Sequence, residues 1–113
     1  ATSGPGGGGA FVYNGTFESL TSVPTDSTFR VDNHPISYAI TRGSGKAWYT
    51  YDGPTNLLTP IPGRTLVIRT ANGQRAKVEI LNYYRGGTTP SASSADSIKT
   101  RDQRFFHFRY SKM

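Results

Sequence analysis

The sequence predicts an all-β fold, an antiparallel β-sandwich-like single domain over residues 1–113. Three observations carry that reading. No window of about 11 residues holds a sustained apolar period near 3.6, so no long amphipathic helix is expected. Thirteen glycines and seven tyrosines suit many turns between amphipathic strands. Residues 64–84, RTLVIRTANGQRAKVEILNYY, set Asn72–Gly73 between two apolar-rich runs, the strongest short-range hairpin signal.

The hairpin is the firmest element. A two-residue type I′ turn would place Asn72 and Gly73 at positive φ. It would set Ala71 opposite Gln74, Arg69 opposite Ala76, Val67 opposite Val78 and Thr65 opposite Ile80. Val67, Ala76, Val78 and Ile80 would then share the core face. Leu66, Ile68, Lys77, Glu79 and Leu81 would share a half-wet face. A slip of one residue exchanges the two faces, because side chains alternate along a strand.

The other elements are shorter. Residues 1–9 are too rich in glycine to bury anything and read as a tail or loop. Their glycine run lacks the lysine of a phosphate-cradling loop. Strands are expected at 10–13 (AFVY), 27–31 (STFRV), 36–40 (ISYAI) and 46–51 (KAWYTY), separated by Pro24, Pro35 and Gly43-Ser44-Gly45. Residues 52–63 carry prolines at 54, 60 and 62, which forbid helix and central strand, so a crossing loop is expected there. Residues 85–103 are small and polar and read as a long mobile loop. The chain returns as RFFHFRY at 104–110, an aromatic-rich strand beside the hairpin, with Phe106, Phe108 and Tyr110 on one face.

Composition excludes several functions. With no cysteine there is no disulfide framework, thiolate zinc site, iron–sulfur cluster or covalent haem attachment. No apolar run reaches the length of about 18 residues that a membrane-spanning helix needs. No nucleophile elbow or zinc-protease motif occurs, so the chain is not read as an enzyme. The net charge of +6 favours acidic partners. The basic residues are dispersed from Arg30 to Lys112, however, which favours a solvated surface, so nucleic acid is not the expected partner.

The Gly-rich opening TSGPGGGGAFV, then IPGRTLVIRTANGQRAKVEILNYY, and the late FHFRY together resemble the C-terminal part of the HmuY-like haem-binding proteins of Bacteroidetes-type bacteria. The resemblance covers about half the chain and rests on structural motifs, a hairpin and a closing strand. It implies a secreted or lipid-anchored outer-membrane protein, its anchor upstream of residue 1 and the present chain a fragment or shortened relative. Such proteins capture haem between two axial side chains and pass it to a membrane receptor. The family's ligands fall in the variable middle, where this chain offers His34 and no methionine.

His34, in VDNHPIS, precedes a proline that favours extended backbone, so its imidazole is either a solvated surface group or an iron ligand. Trp48, Tyr49 and Tyr51 form the densest aromatic stretch of the middle. They either pack as core or stack on a porphyrin, a sugar or a base. His107, among phenylalanines, reads as half-buried and hydrogen-bonded. Asn72 and Gly73 are structural. Three functions follow: non-covalent haem capture at the cell envelope through His34, Trp48, Tyr49 and Tyr51; an interaction module acting as an accessory subunit of a surface complex; and, last, single-strand nucleic-acid binding.

Overall fold

The computed structural model describes residues 7–22, 25, 29–33 and 36–113. Among them the chain order is β1 (Gly9–Asn14), β2 (Tyr49–Asp52), β3 (Leu57–Pro60), β4 (Arg64–Arg69), β5 (Arg75–Tyr84), α1 (Asp96–Asp102) and β6 (Gln103–Lys112). Every strand pairing is antiparallel. β1-β4-β5-β6 form a four-stranded sheet, and β2-β3 a two-stranded ribbon. The fold is all-β, as the sequence predicts.

The β4–β5 hairpin is present, but its register corrects the expected one. Leu66 faces Val78, Val67 faces Lys77, Ile68 faces Ala76 and Arg69 faces Arg75. The loop holds three residues, not two. The Gly73 amide donates to the Thr70 carbonyl at 3.0 Å, and the Thr70 amide donates to the Gln74 carbonyl at 2.7 Å. Gly73 has φ +86°, whereas Asn72 is not among the residues at positive φ. This is a type I turn followed by a left-handed glycine, the three-residue hairpin solution. The Thr70 hydroxyl fixes it by accepting the Gln74 amide at 3.1 Å and donating to the Asn72 carboxamide.

That one residue decides both faces of the sheet. Residues facing one another across antiparallel strands share a face. Phe11 and Val67 therefore sit with Lys77, where Leu20, Phe29, Tyr13 and Met113 close a small core over a fully buried Val67. Residues 15–20 and Phe29 lie over this face. Thr65, also fully buried, donates to the Gly15 carbonyl at 3.0 Å. The Lys77 ammonium donates to the Phe17 and Leu20 carbonyls at 2.6 and 2.9 Å, so its aliphatic stem stays in the apolar layer. Val12, Leu66, Ile68, Val78, Ile80, Phe108 and Tyr110 share the other face. Leu66 is buried there, but cover fades toward β6, where Phe108 and Tyr110 are exposed.

The middle of the chain departs from expectation in instructive ways. Residues 27, 28, 34 and 35 lie outside the described set, and Arg30 makes an isolated bridge to Ala10 in place of a full strand. Ser37 bridges back to Asn33, so 36–40 is a turn and bend. The strand expected at 46–51 begins only at Tyr49. The expected crossing loop at 52–63 carries β3, which tolerates Pro60 because both strands of a two-stranded ribbon are edges. Residues 85–103 do leave β5 and return as β6, yet they hold a 3-10 turn at Arg85–Gly87 and the seven-residue α1. That helix is shorter than the window that reveals helical periodicity. Buried Lys99 anchors it, its ammonium donating to the Thr55 and Ala92 carbonyls at 2.5 and 2.8 Å.

The register is open to direct chemical test. Directly opposed Cβ atoms lie about 4.5–5.5 Å apart, within reach of a disulfide after slight adjustment. The double variant Leu66→Cys with Val78→Cys should oxidise to an intramolecular bridge, read by intact mass under air. Val67→Cys with Val78→Cys, on opposite faces, should stay reduced.

Candidate interaction surface

β6 pairs with β5 from Ala76 opposite Lys112 to Tyr84 opposite Gln103, with irregularities on either side of Asn82. The register shift turns neighbouring rings to different directions. Phe105, Phe106, Phe108 and Tyr110 are exposed at 42, 49, 53 and 66%, and Leu81 on β5 at 51%. Monomeric proteins seldom leave so many large apolar side chains on one element without use for them.

One end of this strip is built by aromatic packing. The Trp48 ring lies 4.9 Å from Tyr49, 5.9 Å from Phe106 and 6.3 Å from Tyr83, and Tyr83 lies edge-on to Phe106 at 5.2 Å. Backbone contacts hold Trp48 in place. Its carbonyl accepts the Ile61 amide at 2.8 Å, and Arg64 donates to the adjoining Ala47 carbonyl at 2.8 Å. Buried Tyr84 ties ribbon to sheet, because its hydroxyl accepts the Leu58 amide at 2.9 Å. Arg85 stacks over Phe105 at 4.7 Å.

The structure brings together only some of the residues singled out from sequence. Trp48 and Tyr49 meet, and the Tyr49 hydroxyl accepts the Gly43 amide at 2.9 Å. Tyr51 is directed elsewhere. Its hydroxyl donates to the Asn56 side chain at 2.8 Å, on the wall of a polar cleft of about 340 Å³ shared with Asp96 and Lys99. His34 lies outside the described residues. His107 is half-buried against Gly87, and Asn72 and Gly73 serve the turn alone. From sequence, Phe106, Phe108 and Tyr110 fall on one face of a strand whose interleaved aromatics suggest nucleic-acid stacking, not a protein-docking surface. The usable signal was the Phe105-Phe106 pair, since consecutive strand residues point to opposite faces and one of them must lack the core.

The face of β6 opposite Phe108 and Tyr110 carries an ion-pair cluster. Arg109 donates through Nε to Glu79 at 2.6 Å and through its terminal nitrogen to Glu18, while its guanidinium lies 4.3 Å over the Phe17 ring. The Arg109 hydrogen bond holds the Glu18 carboxyl below its ordinary value, and Arg101 does the same for Asp102. No helix among the described residues is long and apolar enough to cross a membrane.

Folding favours the charged form of Glu18. Its contribution is therefore complete above the ordinary glutamate range and is lost as pH falls through the depressed folded value. A carboxyl-carbon NMR titration should show Glu18 with a midpoint below that of a model glutamate, about 4.3. Arg109→Gln should return it to the ordinary range. No family model, curated protein or solved structure matches this chain.

Proposed function

We propose that the protein is a non-catalytic interaction module, an accessory β-domain that docks on a partner protein through β6 and the Trp48–Tyr83–Phe106 cluster. One observation carries this reading: Phe108 and Tyr110 stand exposed on one face of the edge strand β6 while the opposite face of the sheet is closed over buried Val67. Aromatic anchors of this kind supply most of the binding energy where proteins meet. Membership of a cell-envelope complex accords with the resemblance to HmuY-like proteins, and partner capture needs no catalytic constellation. Protein isolated from its source under native conditions should appear in mass spectra within a larger assembly. Phe108→Ser with Tyr110→Ser should release it while changing stability by only about 1 kcal/mol, as both rings are largely solvated. A lone monomer in those spectra removes the reading.

A second reading, haem capture, draws on the aromatic cluster itself. Trp48, Tyr49 and Tyr83 offer faces on which a porphyrin could stack, and His34 would supply the axial nitrogen. Bound haem would bring iron-centred ligand exchange, the protein supplying only a stacking surface and a histidine. Titration with haemin should give a saturable, shifted Soret band that weakens in His34→Ala. A linear, unshifted response removes this reading and leaves the first intact.

A further inference from the structure

The edges of β1, β2 and β3 each carry a local blocking contact among the described residues. On β1, Ala10 exchanges two backbone hydrogen bonds with Arg30, at 2.9 and 3.0 Å. On β2, Gly45 donates to the Tyr49 carbonyl at 2.8 Å, and the Ser44 hydroxyl accepts the Tyr51 amide at 2.8 Å. On β3, the Leu58 amide donates to the Tyr84 hydroxyl. β6 is a ten-residue strand paired only to β5, and no group among the described residues caps its outer edge. An uncovered edge of that length is a template for another strand.

The charge along this edge chooses among occupants. Gln103–Lys112 contains Arg104, Arg109 and Lys112 and no carboxylate. Arg109 is held by Glu79 and Glu18, but exposed Arg104 and Lys112 make no ion pair with any described residue. Antiparallel pairing of β6 with a second β6 would bring no carboxylate of either strand to Arg104 or Lys112, on a chain whose net charge is already +6. Like charges facing one another across strands are destabilising, and opposite charges stabilise.

We propose that β6 receives a strand of another protein by edge addition. That segment is extended and acidic, with apolar side chains toward Phe108 and Tyr110 and carboxylates that reach Arg104 and Lys112. This rests on the interaction reading above and specifies its chemistry. Main-chain hydrogen bonds would supply affinity, and the alternating side chains specificity.

The test uses blocked synthetic peptides of roughly nine residues, a common strand length. One is valine-rich with two adjacent glutamates at each end, so that a carboxylate lies on either face near Arg104 and Lys112, a second carries lysines in those places, and a third is the glutamate peptide with alternate amides N-methylated. In isothermal titration the glutamate peptide should bind saturably. The N-methylated form should bind at least about tenfold more weakly, as lost strand hydrogen bonds require. Arg104→Glu with Lys112→Glu, checked for folding by circular dichroism, should weaken the glutamate peptide and admit the lysine peptide. Silence from the glutamate peptide, or equal binding of all three, overturns the proposal. So does a sedimenting dimer that Phe108→Lys dissolves, which would assign the edge to a second copy. If the native assembly survives while the peptides fail, strand addition alone is lost; a lone native monomer removes both readings.

Discussion

The whole molecule hangs on the Thr70–Gln74 reversal. Strand side chains alternate with a period of two, so the loop length between β4 and β5 determines which residues of both strands meet the core. With three loop residues, Val67 is delivered to Leu20 and Phe29, and Val78 to the opposite side with Leu66. The same choice places Lys77 and Arg109 over residues 15–20 and leaves Phe108 and Tyr110 uncovered. A two-residue loop would have put Val78 under the cover and Lys77 outside. The exposed aromatic strip is thus a consequence of one threonine hydroxyl and one left-handed glycine far along the chain from it.

The basic composition acquires a structural meaning from that register. Lys77 and Arg109 close over the Phe17 ring at 4.3 Å each, and Arg69 approaches the Phe29 ring at 5.0 Å. Lys99 and Arg64 terminate in backbone carbonyls that the short, irregular connections would otherwise leave poorly satisfied. In a domain with only 35% apolar residues, aliphatic stems and cation–aromatic contacts substitute for the missing branched side chains. A dispersed positive charge is what such a role produces, since each cation answers a local need. A nucleic-acid groove would instead align them along one track.

Much of this fold was legible in residues 64–84, because apolar alternation and Asn72–Gly73 both speak locally. The register was not. Both two- and three-residue loops accept Asn-Gly, and the Thr70 hydrogen bonds that choose between them involve the Asn72 side chain and the Gln74 backbone amide. β3 was hidden because prolines rule out a central strand and not an edge one. α1 was hidden because seven residues give no period, and its anchor, Lys99, meets a carbonyl 44 residues away. For the surface, sequence supplied the strand at 104–110 but not its exposure. That depends on residues 15–20 and Phe29 lying across one face and not the other, which is decided by tertiary packing.

Exposure of a long apolar edge is normally selected against, and charged residues on the strand are one of the usual defences. Arg104 and Lys112 fit that defensive role toward copies of the same chain. A cation at each end, however, repels only positive partners. It does nothing to stop an acidic strand, and it strengthens the match with one. The covered edges show the contrast, because a backbone bridge at Arg30 or a serine hydroxyl at Ser44 blocks every comer regardless of charge. This fold therefore uses non-selective caps on three edges and a selective one on the fourth. That difference is what the strand-addition proposal requires, an edge that admits an acidic segment while refusing a second copy.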